Sequence, residues 1–376
     1  LDDFSLILLL ILATLIQVLI VVAYVFTVIY LKVYEHSNTD VEKSELPFIS
    51  IIIVAHDDLE MLAKNLPHFF SLDYPDYEVV LVNDRSTDGT QEWLNALALK
   101  HDKLTIVSVS KDVENPGKKT AIVRGIACAK SNFLVFSDAD CYPASNDLLL
   151  NFGKSFSKGY ELILGFGLFE STDKFSNILY RIESVKIALR YSLAAIIGRP
   201  YMGVGRSMGY TKSLFTKVSG FTSHSHIKSG DDDLFVQSIP RGTKTKVVPQ
   251  ALTISETPSG FMSWFLQKQR HLSTGKLYRF HTILVLGLIE LSELLSIIGV
   301  FTLFLVRIDS QWFVLFSLIL LRLGLLAVLI STFNSLIHYR SVKLKEIWLE
   351  LFLSILNPLF SVASQLRQSE EWIRRK

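Results

Sequence analysis

The stretch Phe133-Leu134-Val135-Phe136-Ser137-Asp138-Ala139-Asp140 decides the reading of this chain. A short apolar run suited to a buried strand leads directly into two carboxylates one residue apart. Side chains alternate along an extended chain, so Asp138 and Asp140 leave the end of the strand on the same side. Carboxylates held in this way can bind a hard divalent cation and leave coordination positions open for the oxygens of a ligand. The triplet gains force from its company, because Gly230-Asp231-Asp232-Asp233 and Gln267-Lys268-Gln269-Arg270-His271 follow it in order, with long apolar runs on either side.

Towards the N-terminus, short apolar strands alternate with amphipathic stretches. Strands are predicted over Phe48 to Ala55, Tyr77 to Val82, Leu104 to Val109 and Phe133 to Phe136. Helices are predicted between them, over Leu59 to Phe70, Thr90 to Leu99 and Lys118 to Ala129. Such alternation predicts an α/β fold, a parallel sheet with helices on both faces and ligands at the carboxyl ends of the strands. Beyond Asp140 the pattern is less regular. Phe175 to Ile197 is amphipathic, and Phe261 to Phe280 combines Trp264, Phe265 and Tyr278 with Lys268, Arg270, Lys276 and Arg279. Aromatic and basic residues together, just before an apolar run, suit a helix at a membrane surface; packing into a core with a solvated basic face is the alternative.

Further out, the chain becomes a membrane sequence. It has 376 residues and a mean hydropathy of +0.35, high for a soluble protein. Leu6 to Leu31 carries no charge and is long enough to cross a bilayer. No basic segment precedes it, so it reads as a retained anchor rather than a cleaved signal. Asp2 and Asp3 lie before it and Lys32 and Lys43 after it, which predicts an outer N-terminus and a cytoplasmic chain thereafter. Three apolar segments follow: Thr282 to Val306, Trp312 to Ile337 and Ile347 to Leu366. The basic loop His338 to Lys345 predicts a cytoplasmic turn between the last two. Asn357-Pro358 interrupts the final segment, and the tail carries Arg367, Arg374, Arg375 and Lys376. A re-entrant or interfacial hairpin broken at Pro358 keeps that tail inside, whereas a third crossing puts it outside. The resulting division is an anchor over 1–34, a cytoplasmic domain over 48–280, a membrane region over 281–366 and a basic tail over 367–376.

Charge excludes one class of partner. A net charge of +2 lacks the basic excess that nucleic-acid binding requires. Cys128 and Cys141 lack metal-ligand spacing and form no disulfide framework. Within the spans, Glu290, Glu293 and Arg322 are costly in hydrocarbon. Their depths differ by about one helical turn, so Arg322 is expected to pair with one of the two glutamates, as structural glue or as the polar lining of a path.

Several positions carry chemistry, each with a plainer alternative. Asn83-Asp84-Arg85-Ser86-Thr87-Asp88-Gly89-Thr90 follows the second strand. Asp84 there can accept hydrogen bonds from a base or ribose, although Asp88 alone reads as a turn and helix cap. His56-Asp57-Asp58 at the end of the first strand also suits a capped helix start. Gly117-Lys118-Lys119 opens a helix, a natural seat for a diphosphate, although lysines at a helix start are often only solvated. A run of three aspartates is usually a solvated loop, and His224 and His226 beside it read as solvated loop histidines.

Taken in order, these motifs resemble those of the membrane-embedded family 2 glycosyltransferases with a GT-A fold, over about Phe48 to Phe280. The resemblance implies a GT-A, Rossmann-like domain inserted between transmembrane helices, a bacterial-type plasma membrane location and a nucleotide-sugar donor. It places Asp58 and Asp84 at the uracil and ribose and Lys118 at the diphosphate. Asp138 and Asp140 become the pair through which Mn²⁺ or Mg²⁺ bridges the diphosphate. Aligning Leu234 puts Asp231 on the catalytic aspartate, and a slip of one residue selects Asp232. Gly230 stands where the family has glutamate. Gln267, Arg270 and His271 fall on its Gln-x-x-Arg-Trp motif, with His271 in place of tryptophan, which implies donor contacts from all three and stabilisation of the leaving group by Arg270. The implied activity is inverting transfer of one sugar, from a UDP-sugar or possibly GDP-sugar, to a lipid or glycan acceptor in the membrane. A processive polysaccharide synthase and an inactive scaffold or sensor are the alternatives.

Overall fold

A computed structural model describes residues 3–36, 42–110, 112, 116–258, 260–303 and 310–366. In chain order the elements are α1 (Asp3–His36), β1 (Ile49–Ala55), α2 (Leu59–Phe70), β2 (Tyr77–Asn83), α3 (Thr90–Ala98), β3 (Leu104–Ser108), α4 (Lys118–Cys128), β4 (Phe133–Asp138), β5 (Cys141–Pro143) and α5 (Leu148–Ser157). They continue with β6 (Leu162–Phe169), α6 (Phe175–Ile196), β7 (Met208–Thr211), α7 (Lys212–Lys217), α8 (Asp233–Ser238), β8 (Thr245–Ser255), α9 (Phe261–Gly275), α10 (Phe280–Leu303), α11 (Ser310–Leu336) and α12 (Leu349–Leu366). The chain forms two compact units, one of residues 34–170 and 194–257, the other of residues 1–33, 171–193 and 258–376.

The first unit is the expected α/β domain. Its sheet has eight strands in the order β3-β2-β1-β4-β7-β6-β8-β5. The half predicted from the sequence is parallel: β1 runs beside β2 and β4, with Ala55 opposite Asn83 and Val54 opposite Asp138. All residues of β1 and β2 are buried, as in a parallel strand covered on both faces. Buried Glu78 on β2 is satisfied, since Ser50 Oγ donates to it at 2.6 Å and the Lys130 amide at 2.7 Å. The second half departs from the parallel expectation. β7 runs antiparallel to both β4 and β6, β6 is parallel to β8, and β5 folds back antiparallel on β8. The antiparallel β7 matters for the site, because Met208 pairs with Phe136. The chain entering β7 therefore arrives at the sheet edge where β4 delivers its acids.

The second unit is helical. Among the described residues, three helices are long and apolar enough to cross a membrane: Phe4–Tyr34, Phe280–Thr302 and Trp312–Leu336. Residues 304–306 of the second predicted span, Asp2 and the basic tail lie outside the described residues. One expectation is corrected in this unit, and two open alternatives are narrowed. Arg322 pairs with Glu350 on α12, its Nη2 donating at 2.8 and 3.0 Å to the two carboxylate oxygens, and not with Glu290 or Glu293. Those two face α6 instead: Glu293 takes Lys186, and Glu290 takes Arg190 at 2.6 Å. The final segment is one helix through position 358, with no break into a hairpin. On α9, Trp264 and Lys268 turn inward rather than to a membrane surface. Trp264 is 1% exposed, and its indole N–H and the Lys268 ammonium both bond Glu183. That half-buried carboxylate gives both polar tips a partner, which makes the inward orientation affordable.

Candidate active site

The carboxyl ends of β1, β2 and β4 lie at one sheet edge, and the candidate residues of the α/β unit gather there. Asp138 is the last residue of β4, and Asp140 lies in the turn that leads to β5. Cys141 opens β5 opposite Ser255. Atoms of Asp138, Asp140 and Cys141 able to ligate a metal lie within 4.8 Å of one another. Cys141, discounted on spacing, therefore belongs to the cluster; the turn of β4 into β5 brings it back. Burial pushes its thiol up to about 12, and the thiol donates to Asp140 Oδ1 at 3.1 Å. The acceptors on offer are then carboxylate oxygens, a donor set that fits a hard divalent cation better than a thiophilic one.

Lys118 ties this cluster to the acidic run. It is the first residue of α4, after Gly117, whose φ of 152° few side chains tolerate. Its ammonium sits 2.8 Å from Asp138 Oδ1 and 3.0 Å from Asp231 Oδ2. Burial alone would depress this ammonium, but Asp138 and Asp231 outweigh it and hold it above the ordinary lysine range. A cavity of about 10 Å³ adjoins the three, closed by Ile52, Val54, Phe136 and Tyr210. Neither lysine of the pair is merely solvated. Lys119 is buried and donates to the carbonyls of His224 at 2.8 Å and Ile227 at 3.0 Å, fixing the loop that leads to Asp231. Burial lowers its ammonium to about 8.

The three aspartates are not a solvated loop either, and each has its own task. Asp231 meets Lys118. Asp232 accepts from the Asp233 amide at 2.8 Å and the Gly205 amide at 3.0 Å. Asp233 accepts from the Leu234 amide at 2.7 Å, at the start of α8. Burial first, then the charges of Asp231 and Asp233, raise Asp232 to about 7. Gly230 has a φ of 87°, and a Cβ there would stand 2.5 Å from Leu234 Cδ1. A glutamate, which the resembled family has at this position, would be strained by the left-handed backbone and would have to displace the Leu234 side chain. His224 is buried against the Phe221 ring, 5.8 Å between centroids, and not solvated; burial lowers it to about 4.

Gly205 and Arg206 carry no catalytic motif that singles them out in the sequence, yet the fold brings Gly205 to the acidic run. A Cβ on Gly205 would stand 3.4 Å from Asp231 Oδ2 and 3.5 Å from Asp232 Oδ2. Arg206 lies over the Phe169 ring at 4.2 Å and donates to the Gly167 carbonyl at 2.6 Å and Ser255 Oγ at 3.1 Å. The small-residue run Gly203-Val204-Gly205 before a strand is the signal that marks such a close approach.

The remaining candidates divide. Asp84 is buried and held by its neighbour, with Arg85 Nε at 2.8 Å and Nη2 at 3.2 Å from its two oxygens. Asp58 precedes α2 without capping it through its side chain. Asp88 does that work, accepting from the Leu59 amide at 2.9 Å and from Thr90 Oγ at 2.6 Å. Gln267, Arg270 and His271 lie on α9, which belongs to the helical unit. Gln267 Oε1 is buried without a hydrogen-bond partner among the described residues.

Comparison with known proteins adds the following. Residues 50–208 match the model of Glycosyl transferase family 2. The β-monoglucosyldiacylglycerol synthase of Nostoc sp. (strain PCC 7120) is 33% identical over 116 residues, 30% of this chain and 24% of that protein. The probable glycosyltransferase YdaM of Bacillus subtilis is 23% identical over 246 residues, 60% of this chain and 54% of that protein. The chain therefore spans from a quarter to about half of the length of these relatives. Among solved structures, a mannosyltransferase from Pyrobaculum calidifontis in complex with GDP-Man and Mn²⁺ superposes with a TM-score of 0.49 at 14% identity, covering 94% of this chain and 98% of that one.

Proposed function

For a chain that carries a family 2 glycosyltransferase domain, we propose inverting, cation-dependent transfer of a sugar from a nucleotide-sugar, a UDP-sugar first, to a lipid acceptor in the membrane. The observation that carries this reading is the double contact of Lys118, at 2.8 Å to Asp138 and 3.0 Å to Asp231. It joins the candidate cation ligands and the candidate base across one cleft. The lipid acceptor is supported by the three apolar helices and by the name of the Nostoc relative.

The residues suggest a sequence of roles. Asp138 and Asp140 would hold Mn²⁺ or Mg²⁺, which when bound supplies positive charge against the leaving diphosphate. Lys118, now shared by two carboxylates, is positioned to turn to the diphosphate. That exchange would free Asp231 to take the proton of the acceptor hydroxyl. Asp232 is the positioning residue of this step. Its hydrogen bonds to the Gly205 and Asp233 amides fix the turn from which Asp231 projects. Asp58 and Asp84 are assigned to the nucleoside, and Gln267, Arg270 and His271 to donor contacts as the resemblance implies. Arg270 would add positive charge as the diphosphate departs.

The test is transfer itself. Membranes containing the chain, given a panel of radiolabelled sugar nucleotides, should label the lipid extract with one sugar per acceptor. A labelled polymer ladder would refute single addition, and absence of labelling from every donor would refute the transferase reading.

A further inference from the structure

The helical unit contains a second polar site. A cavity of about 60 Å³ lies among α1, α6, α10, α11 and α12, with walls that are mostly aliphatic. Five charged side chains nevertheless face it: Lys186 and Arg190 from α6, Glu293 from α10, Arg322 from α11 and Glu350 from α12. Glu293, Arg322 and Glu350 are 2%, 3% and 6% exposed. Counted along the helices, Gln17 lies about 20 Å inside Phe4, and Arg322 about 15 Å inside Trp312. Both distances fall within the depth of the candidate spans. Ionisable groups at that depth are expensive and are retained for a reason.

The pairing is nearly complete, and its remainder is informative. Lys186 bonds Glu293 and lies 3.2 Å from Glu350; Arg322 lies 2.8 Å from Glu350. Arg190 lies 2.6 Å from Glu290 and 3.6 Å from Glu293. With Glu290 included, three cations face three carboxylates, so the cluster is neutral. Yet Arg322 Nε and Glu293 Oε2, both on the cavity wall, are buried without hydrogen-bond partners among the described residues. One donor and one acceptor on the wall are thus left over in a greasy cavity whose ion pairs, counted with Glu290, balance. A phosphate entering there would have to take a cation from a glutamate and leave that carboxylate buried and unpaired. A hydroxyl can accept from Arg322 Nε and donate to a glutamate oxygen with no change in charge. A water needs about 10–15 Å³ in such a space, so the cavity has room for a hydroxymethyl group and the polar atoms beside it.

We propose that this cavity binds the headgroup of an uncharged, hydroxyl-bearing lipid, of the diacylglycerol type, with its hydrocarbon against the aliphatic wall. The proposal is independent of the transferase reading, because binding is measured without donor or turnover. The full chain is placed in phosphatidylcholine nanodiscs doped with equal fractions of dioleoylglycerol or dioleoylphosphatidate, which share acyl chains and differ in the phosphate. Dioleoylglycerol is expected to raise the melting temperature by several degrees and to be co-released in native mass spectrometry, whereas dioleoylphosphatidate does neither. Glu350→Gln leaves three cations against two carboxylates and is expected to shift the retained-lipid ratio about tenfold towards phosphatidate. Glu290→Gln makes the same charge change at a position with 25% side-chain exposure, and serves if Glu350→Gln fails to fold. Wild-type protein that retains phosphatidate as well as dioleoylglycerol, or retains neither, overturns the proposal. So does an unchanged preference in a folded charge variant.

Discussion

Asp231 and Asp232 are neighbours with opposite demands on their environment. In the proposed mechanism Asp231 must lose the ammonium that holds it, and Asp232 sits half-buried between two other carboxylates. Asp231→Asn is expected to lower transfer about 10²–10⁴-fold, the range for removing a general base, with donor affinity little changed; a kcat and KM determination separates the two. Asp232 gives a pH signature. Burial and the neighbouring carboxylates push its carboxyl up to about 7 in the folded protein, from the ordinary 3.8 of an unfolded chain, so the folded state binds the proton more tightly. Its contribution to stability is present below pH 3.8 and is lost as the pH rises to 7. Asp232→Asn should therefore melt above wild type at pH 8 and converge with it near pH 4. A constant offset across that range would contradict the assignment. Gly230 is the third telling residue. Gly230→Glu, which writes in the residue the resemblance leads one to expect, should destabilise by at least about 1–2 kcal/mol from the left-handed backbone alone, read from the shift in denaturation midpoint.

At the scale of elements, the site depends on how closely α4 lies on the sheet. A Cβ on Gly125 would stand 2.9 Å from both Ile52 Cγ2 and Val82 Cγ2. Gly125→Val should lift the helix, cost about 1–3 kcal/mol by overpacking and raise the donor KM through displaced Lys118. Equal KM with lower stability would confine the effect to folding. The elements up to β4 were legible because each lies next to its partner in the alternation, and helix and strand periods differ. Their ends were read to within two residues, as with β4, which continues from Phe136 to Asp138. The order β7-β6-β8-β5 was not legible, since antiparallel insertion of β7 is decided by distant pairing with no local period. Hence Asp138, Asp140, Lys118 and Asp231 could be named from the sequence, whereas Gly205 and Arg206, brought in by β7, could not. Spacing along the chain gives Cys141 no ligand role, while a tight turn brings its Sγ back to Asp138 and Asp140.

For the molecule as a whole, the chain divides into an α/β unit that holds the acidic cleft and a helical unit that holds a neutral ionic cluster. Depth along the apolar spans alone points Arg322 to Glu290 or Glu293. α6 supplies cations to both glutamates, and α12 supplies the carboxylate left for Arg322. Removing one partner of a buried pair costs about 3–5 kcal/mol. Arg322→Leu should therefore lower the melting temperature of the full chain sharply. Arg322→Leu with Glu350→Leu should recover most of the loss, and Arg322→Leu with Glu293→Leu should not. The central claim, that one cleft joins a cation site to a base through Lys118, is tested most directly by nucleoside diphosphate release coupled to labelling of the lipid extract. Wild-type protein and Asp231→Asn are compared with Mn²⁺ or Mg²⁺ and with chelator. Both products are expected from wild type with the cation, and loss of both on chelation or in Asp231→Asn. Undiminished transfer in chelator, or in Asp231→Asn, would contradict it.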